Sequence, residues 1–325
     1  MSIITDNLFE KTLIDPIRNG ADELCIVSGY ATATMATRHI EAVRRELKQD
    51  IAIRIIVGMC SQDGIQKSQH LGFQKLSQGE FNTDFKCGYV TDRPPIHSKV
   101  YTWLRNGEPI LGFMGSANYT QNAFSKSMRE VLTEKSALDC FGYYQSLIGK
   151  TIDCLSDDVS NFINLFDQRR AKGNLIIESE LETSITTESN LDKVTLTLLK
   201  KRTGEVPARS GLNWGQRPEH GRNPNQAYLN IPAKIGSSGF FPERFEQFMV
   251  LTDDNKELIC VRAQDNGKAI HTTLDNSRMG EYFRYRLGLP NGAFITKDDL
   301  LRYGRTDVDF HKIDDETYLM DFSVH

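Results

Sequence analysis

Two apolar runs separated by a stretch with helical spacing constrain the first half of this chain more than any other feature. Leu24-Cys25-Ile26-Val27 is short and ends at Ser28-Gly29. Ala36, Ile40, Val43 and Leu47 follow at helical intervals, and Ile51-Ala52-Ile53-Arg54-Ile55-Ile56-Val57 is a β-branched run closed by Gly58. A strand–helix–strand unit implies a parallel strand pair with a helix on one face, hence an α/β domain. The same reading predicts a helix over 64–76, a strand at 85–90, and strands at 96–104 and 109–114 joined through the hairpin turn Asn106-Gly107. A further strand is expected at 128–133. Residues 138–166 read as helical, with Phe141, Tyr144, Leu147, Ile148 and Leu155 as the apolar positions.

The texture then changes. Gly173–Lys193 is rich in Ser, Thr and Glu, and only Leu175-Ile176-Ile177 offers packing, so most of it reads as an exposed linker. Beyond it Val194, Leu196 and Leu198 alternate with Thr195 and Thr197. Short strand patterns recur at 227–231, 248–252, 258–263, 307–313 and 317–322, separated by turn signals. One short helix is signalled near Thr296, with Asp299 three residues on and Gly304 just past its end. Regularly spaced short strands indicate a small barrel or sandwich. The expected organisation is therefore an α/β domain over 1–172, a linker over 173–193 and an all-β domain over 194–325.

Composition narrows the function classes. No apolar run approaches the roughly 20 residues of a membrane span. The N-terminus lacks the pattern of a signal peptide, so a cytoplasmic protein is expected. Lys and Arg number 39 against 43 Asp and Glu, but residues 1–172 hold 20 of each sign and residues 194–325 hold 18 of each. The acidic excess sits in the linker, so a polyanion site has to be a local patch. Six widely spaced cysteines without Cys-x-x-Cys fit reduced, buried thiols. No clustered ligand set for zinc and no P-loop pattern are present, and no cofactor is called for.

The chemistry concentrates around Ile96-His97-Ser98-Lys99-Val100 and Gly115-Ser116-Ala117-Asn118. Two residues apart on a strand, His97 and Lys99 share a face. An imidazole beside an ammonium is a poor pair to bury, but it suits an anionic phosphate. Lys99 supplies fixed charge, Ser116 and Asn118 are donors for oxygens that gain charge in the transition state, and His97 is nucleophile or general acid. A single His-x-Lys on a strand is more often accidental; the combined set is what raises it to a site. A competing Glu-x-Lys, Glu46-Leu47-Lys48, has the form used by metal-dependent nucleases, but it lies on the amphipathic helix and reads as solvated surface.

This set resembles the phospholipase D superfamily, whose signature is His-x-Lys, four residues, Asp, then Gly-Ser-x-Asn. His97, Lys99, Gly115, Ser116 and Asn118 match, while Leu104 stands where the Asp belongs. The nuclease branch with that loss carries an acid downstream. The resemblance implies that Glu130, or as a fallback Glu134, orients His97. Superfamily chemistry uses two such motifs, and no other His here begins a His-x-Lys. A homodimer with the site on its two-fold axis is therefore implied, with attack giving a phosphohistidine that water hydrolyses and no metal required.

In the second domain, residues 200–222 carry six Lys or Arg against two Glu. Arg209, Asn213, Trp214, Gln216, Arg217 and Arg222 lie in a Gly- and Pro-rich loop suited to base edges and sugar-phosphate; the alternative is a solvated loop anchored by Trp214. Arg262, Gln264, Asp265 and Lys268 form a second set of readers at a hairpin tip. Arg278, Arg284 and Arg286 rank lower, since a helical Arg run usually faces solvent.

Taken together, the two halves resemble the BfiI/NgoFVII group of type II restriction endonucleases, which join a phospholipase-D-like nuclease domain (a mixed sheet flanked by helices) to a B3-like pseudobarrel. The pattern Gly211-Leu212-Asn213-Trp214-Gly215-Gln216-Arg217 and Tyr282-Phe283-Arg284-Tyr285-Arg286-Leu287-Gly288 carries that likeness. It implies a metal-independent, sequence-specific endonuclease acting on double-stranded DNA, with two loop arms in the major groove: one within 209–222, one near 262–268. Some members of the group work with a separate ATPase subunit. The rivals are a lipid phosphodiesterase of the same superfamily and a DNA-binding regulator whose nuclease site is dead.

Overall fold

The computed structural model describes residues 3–79, 81–125, 128–166, 170–171, 174–175 and 193–324. The chain divides into two units, Met1–Glu180 and Leu181–His325. The stretch expected to be a linker lies largely outside the described residues.

Among the described residues, the first unit is built on a sheet of eight strands: β1 (Ile3–Ile4), β2 (Glu23–Ser28), β3 (Ala52–Val57), β4 (Asp84–Val90), β5 (Lys99–Arg105), β6 (Glu108–Gly115), β7 (Leu132–Lys135) and β8 (Thr151–Asp153). Their order is β1-β7-β6-β5-β2-β3-β4-β8. β2, β3 and β4 run parallel, and β5 joins β2 antiparallel, so the sheet is mixed. The strand–helix–strand reading holds. Helix α1 (Ala33–Leu47) starts at Thr32, whose side chain accepts from the Met35 amide, and connects β2 to β3. Its apolar stripe buries Ala36, Ile40 and Val43. Helix α2 (Lys67–Ser77) leads towards β4. The Asn106-Gly107 hairpin forms with both residues at positive φ, 51° and 80°, as a primed turn requires.

Three expectations shift. Residues 138–166 are not one helix: helix α3 (Ala137–Ile148) stops before Gly149-Lys150, and the chain returns to the sheet as β8. The strand expected at 128–133 starts only at Leu132, which leaves Glu130 in the preceding loop. The strand expected from Ile96 starts at Lys99, so His97 sits on the extended approach to β5.

Strands dominate the second unit: β9 (Lys193–Thr197), β10 (Leu229–Asn230), β11 (Gln247–Thr252), β12 (Glu257–Ala263), β13 (Ala269–Thr272), β14 (Asp307–Lys312) and β15 (Thr317–Asp321). They form one sheet in the order β9-β14-β15-β11-β12-β13-β10, and its two edge strands approach each other, so the sheet nearly closes. Inside lies an aromatic core of Phe240, Phe241, Phe248, Phe310 and Tyr318. Helix α4 (Arg278–Arg286) and helix α5 (Lys297–Tyr303) complete the unit. α5 carries the predicted reciprocal cap between Thr296 and Asp299 and ends at Gly304 with φ 101°. The strand expected at 227–231 shrinks to two residues, and β13 had no separate expectation. All six cysteines are free and buried. No helix among the described residues is long and apolar enough to cross a membrane.

Candidate active site and nucleic-acid interface

The site lies where β2 and β3 end and the approach to β5 passes over them. Two glycines permit this crossing. A Cβ at Gly58 would fall 2.0 Å from the Ile96 carbonyl oxygen, and the Ile96 amide donates to the Gly58 carbonyl at 3.1 Å. A Cβ at Gly29 would lie 3.0 Å from Cδ2 of His97 and 3.4 Å from Oδ1 of Asn118. Any side chain at either position would displace the imidazole or its backbone.

His97 is exposed, and Lys99 is buried, with 7% of its surface exposed. The Lys99 ammonium lies 3.1 Å from Nδ1 and 3.0 Å from Nε2 of His97, and donates to the His97 carbonyl oxygen at 2.8 Å. The spacing argument therefore holds in its consequence: the two side chains converge, although His97 precedes the strand. Tyr30 meets the imidazole edge-on with ring centres 5.9 Å apart, and its hydroxyl donates to Asp63 at 2.6 Å.

Asn118 is oriented by residues that the motif does not contain. Its Oδ1 accepts from the Tyr30 amide at 3.1 Å and lies 3.4 Å from the Ser28 hydroxyl, which donates to the Tyr30 carbonyl at 2.6 Å. Fixing the oxygen end presents the amide's NH2 end as a donor. Ser28 also accepts from the Tyr119 amide at 2.9 Å, and the Tyr101 hydroxyl donates to the Ala117 carbonyl at 2.8 Å, which pins the Gly115–Asn118 turn to the sheet. Tyr101 is fully buried, and that burial holds its phenol well above the usual range. The sequence signal for this support was Ser28-Gly29 at the end of β2, read only as a strand terminus.

Ser116 and Glu130 form a pair. The Ser116 hydroxyl donates to a Glu130 carboxylate oxygen and accepts from the Val131 amide at 3.0 Å. A Cβ at Gly115 would lie 2.0 Å from the Val131 carbonyl oxygen, so glycine is what lets these segments approach. The bond of Glu130 is thus to Ser116, and not the one to His97 that was expected of it. Glu134 is exposed on β7. Leu104 is buried at the far end of β5, roughly 20 Å from His97 at strand rise. Among the described residues, no group of three His, Cys, Asp or Glu is arranged to hold a metal ion.

In the second unit the residues expected to read DNA separate into two kinds. Asn213 is fully buried: its NH2 donates to the carbonyls of Pro207 at 3.2 Å and Ile295 at 2.8 Å, and its oxygen accepts from the Ile295 amide at 2.9 Å. It clamps two loops and presents nothing to a base. Gln216 donates to the carbonyls of Pro224 and Gly292 at 3.2 and 2.9 Å. The Arg262 guanidinium donates to the carbonyls of Gly267, Pro242 and Gly236 at 3.3, 3.0 and 3.0 Å, so it staples three loops instead of pointing outward. Burial lowers its pKa from the ordinary arginine value. Arg284 is fully buried and bonded to backbone carbonyls, and Arg286 binds Asp253 at 2.7 and 2.8 Å, which corrects the expectation that this run faces solvent.

Of the others, Trp214, Arg217 and Arg222 are half-buried, and Arg209, Gln264 and Lys268 are exposed. Arg209 is exposed, pairs with Glu219, and its carbonyl accepts from Arg217. Arg222 lies 4.2 Å over the Trp214 ring, and Trp214 packs edge-on against Tyr228. Gln264 and Lys268 are exposed; Asp265 opens a short 3-10 turn, and its side chain lies outside the described residues.

Residues 6–161 match the NgoFVII restriction endonuclease N-terminal PLD domain, and residues 186–314 match the NgoFVII C-terminal B3-like DNA-binding domain. The chain belongs to the NgoFVII restriction endonuclease family. The two matches give this NgoFVII-family chain a phospholipase-D-type enzymatic domain and a B3-like domain whose nearly closed sheet is the pseudobarrel expected. No curated protein matches the chain. Among solved structures, NucT from Helicobacter pylori is 19% identical with a TM-score of 0.34, covering 47% of this chain and 97% of its own. Nuc from Salmonella typhimurium, a phospholipase D family member, is 12% identical with a TM-score of 0.35 and the same two coverages.

Proposed function

We propose that this chain is a metal-independent, sequence-specific DNA endonuclease that hydrolyses phosphodiester bonds through a phosphohistidine at a homodimer interface. The observation that carries this reading is the convergence of the buried Lys99 ammonium on the exposed His97 ring, with Asn118 beside them and its oxygen tied back so that its NH2 end is the donor. A phosphate seated there would meet the Lys99 charge and the Asn118 amide. These are fixed donors aimed at charge that builds on the non-bridging oxygens.

The chain supplies one His-x-Lys, and the reaction needs a nucleophile and an acid. In the proposed dimer a ring nitrogen of His97 attacks phosphorus. The phosphorus–oxygen bond to the leaving strand breaks, and the leaving oxygen takes a proton from the partner's His97. Water then attacks the phosphohistidine and gives its proton to the partner's His97. The nitrogen–phosphorus bond breaks, returning its electron pair to His97. In this reading Lys99 and Asn118 hold the phosphate, and Ser116 acts with Glu130 as one hydrogen-bonded unit that orients the site.

The second unit is proposed to choose the site through the surface residues of its two loop segments: Arg209, Trp214, Arg217 and Arg222 in one, Gln264, Asp265 and Lys268 in the other. Any ATP requirement would reside in a separate subunit, since this sequence has no P-loop. The test is cleavage of mixed duplex DNA in EDTA by the wild-type chain beside His97→Ala, with a phosphatidylcholine substrate in parallel. Lipid hydrolysis without DNA cleavage would establish the phosphodiesterase rival instead.

A further inference from the structure

Phe245 has φ 71°, in the left-handed region where a bulky side chain is a genuine outlier. It sits just before β11, and its amide donates to the Arg262 carbonyl at 3.2 Å, beside the first rung of the β11–β12 ladder, Gln247–Val261. Glycine is the default at such a position. This chain instead places an aromatic ring there and leaves it 38% exposed. Arg244, also exposed, stacks its guanidinium 4.5 Å from the centre of that ring.

The pair is not isolated. Arg262, through its carbonyl and guanidinium, ties Phe245, Gly236, Pro242 and Gly267 together, and the Ile231 amide donates to the Lys268 carbonyl at 2.7 Å. The loop after β10 and the turn 264–268 are therefore one surface. It exposes Lys234, Arg244 and Lys268 with Phe245 among them; Glu243 and Glu246 flank the pair, joined by a 3.3 Å bond from the Glu243 amide to the Glu246 carboxylate.

We infer that Arg244 and Phe245 are a DNA contact, with the guanidinium on a backbone phosphate and the ring packed on an adjacent sugar or base. This rests on the DNA-binding reading of the second unit and extends it to a loop that neither reader segment contains. An aromatic surface left partly exposed and stacked with arginine suits nucleic acid of any sequence. The backbone strain is then retained because it aims the ring outward.

The test uses the full chain carrying His97→Ala, so that the duplex stays intact, with a fluorescent random-sequence 30-base-pair duplex titrated at several salt concentrations. Arg244→Ala is expected to weaken binding and to reduce the slope of log K against log salt by about 0.9, the value for one phosphate contact. Phe245→Gly is expected to weaken binding about tenfold with the slope unchanged. Unchanged affinity in both variants overturns the inference. So does a Phe245→Gly chain that melts lower and binds normally, since the ring would then be packing. A parent chain that binds no duplex at all would instead overturn the DNA-binding reading beneath it.

Discussion

Replacing Asn213 by alanine separates a structural clamp from a base reader. The side chain is fully buried and makes three hydrogen bonds, two of them to the amide and carbonyl of the equally buried Ile295. Truncation removes all three and strands the Ile295 groups away from water. A net loss near 1 kcal/mol per bond puts the cost at about 3 kcal/mol. For a domain of this size that corresponds to roughly 10 °C in melting temperature. Differential scanning calorimetry of wild type and Asn213→Ala would show the transition of the second unit lowered by that amount. Anisotropy on a random-sequence duplex, taken well below both transitions, would show the surviving fold binding as wild type does. A variant that melts normally but loses DNA affinity would overturn the clamp and restore Asn213 as a reader.

Further outcomes follow from the same geometry. Gly29→Ala places a methyl 3.0 Å from the His97 ring, so cleavage should fall about tenfold by displacement of the nucleophile, with the melting temperature unchanged. Ser116→Ala and Glu130→Gln should each reduce cleavage, and the double variant should lose little more than either, because the two act as one pair; additive losses in single-turnover assays would contradict the pairing. His39 is buried among Phe9, Trp103 and Tyr119, and desolvation lowers its pKa from 6.5 to about 4. The unfolded chain binds this proton below pH 6.5 and the folded chain does not, so stability is flat above that pH and falls by about 3 kcal/mol as pH drops from 6.5 to 4. Melting curves across that range should show the fall in wild type, and a smaller one in His39→Gln.

The candidate catalytic set was legible because its members are close in sequence and chemically unusual together. His97 and Lys99 announce themselves by spacing, and Ser116 and Asn118 by the glycine turn that carries them. Their support was not legible. Ser28 and Tyr30 meet Asn118 across some 90 residues of sequence, brought together by the β2–β5 pairing and the Ala31–Tyr119 bridge. The α/β and all-β textures also survived, since periodicity reports which face is buried. What residue type could not report is which polar side chains in a loop turn inward. Asn213, Gln216 and Arg262 have the chemistry of base readers, yet loops without regular hydrogen bonding need such groups to satisfy their own carbonyls. Glu130 shows the same limit: its place in a loop beside Ser116, rather than on a strand, follows from the late start of β7.

The most direct test of the central claim is digestion of mixed duplex DNA by the purified full chain in EDTA, with His97→Ala in parallel. Metal-free chemistry at His97 predicts discrete fragments from wild type, none from the variant, and a DNA strand held on His97 through an acid-labile nitrogen–phosphorus bond after a rapid denaturing quench at alkaline pH. Cleavage that EDTA abolishes, or that persists in His97→Ala, would contradict it.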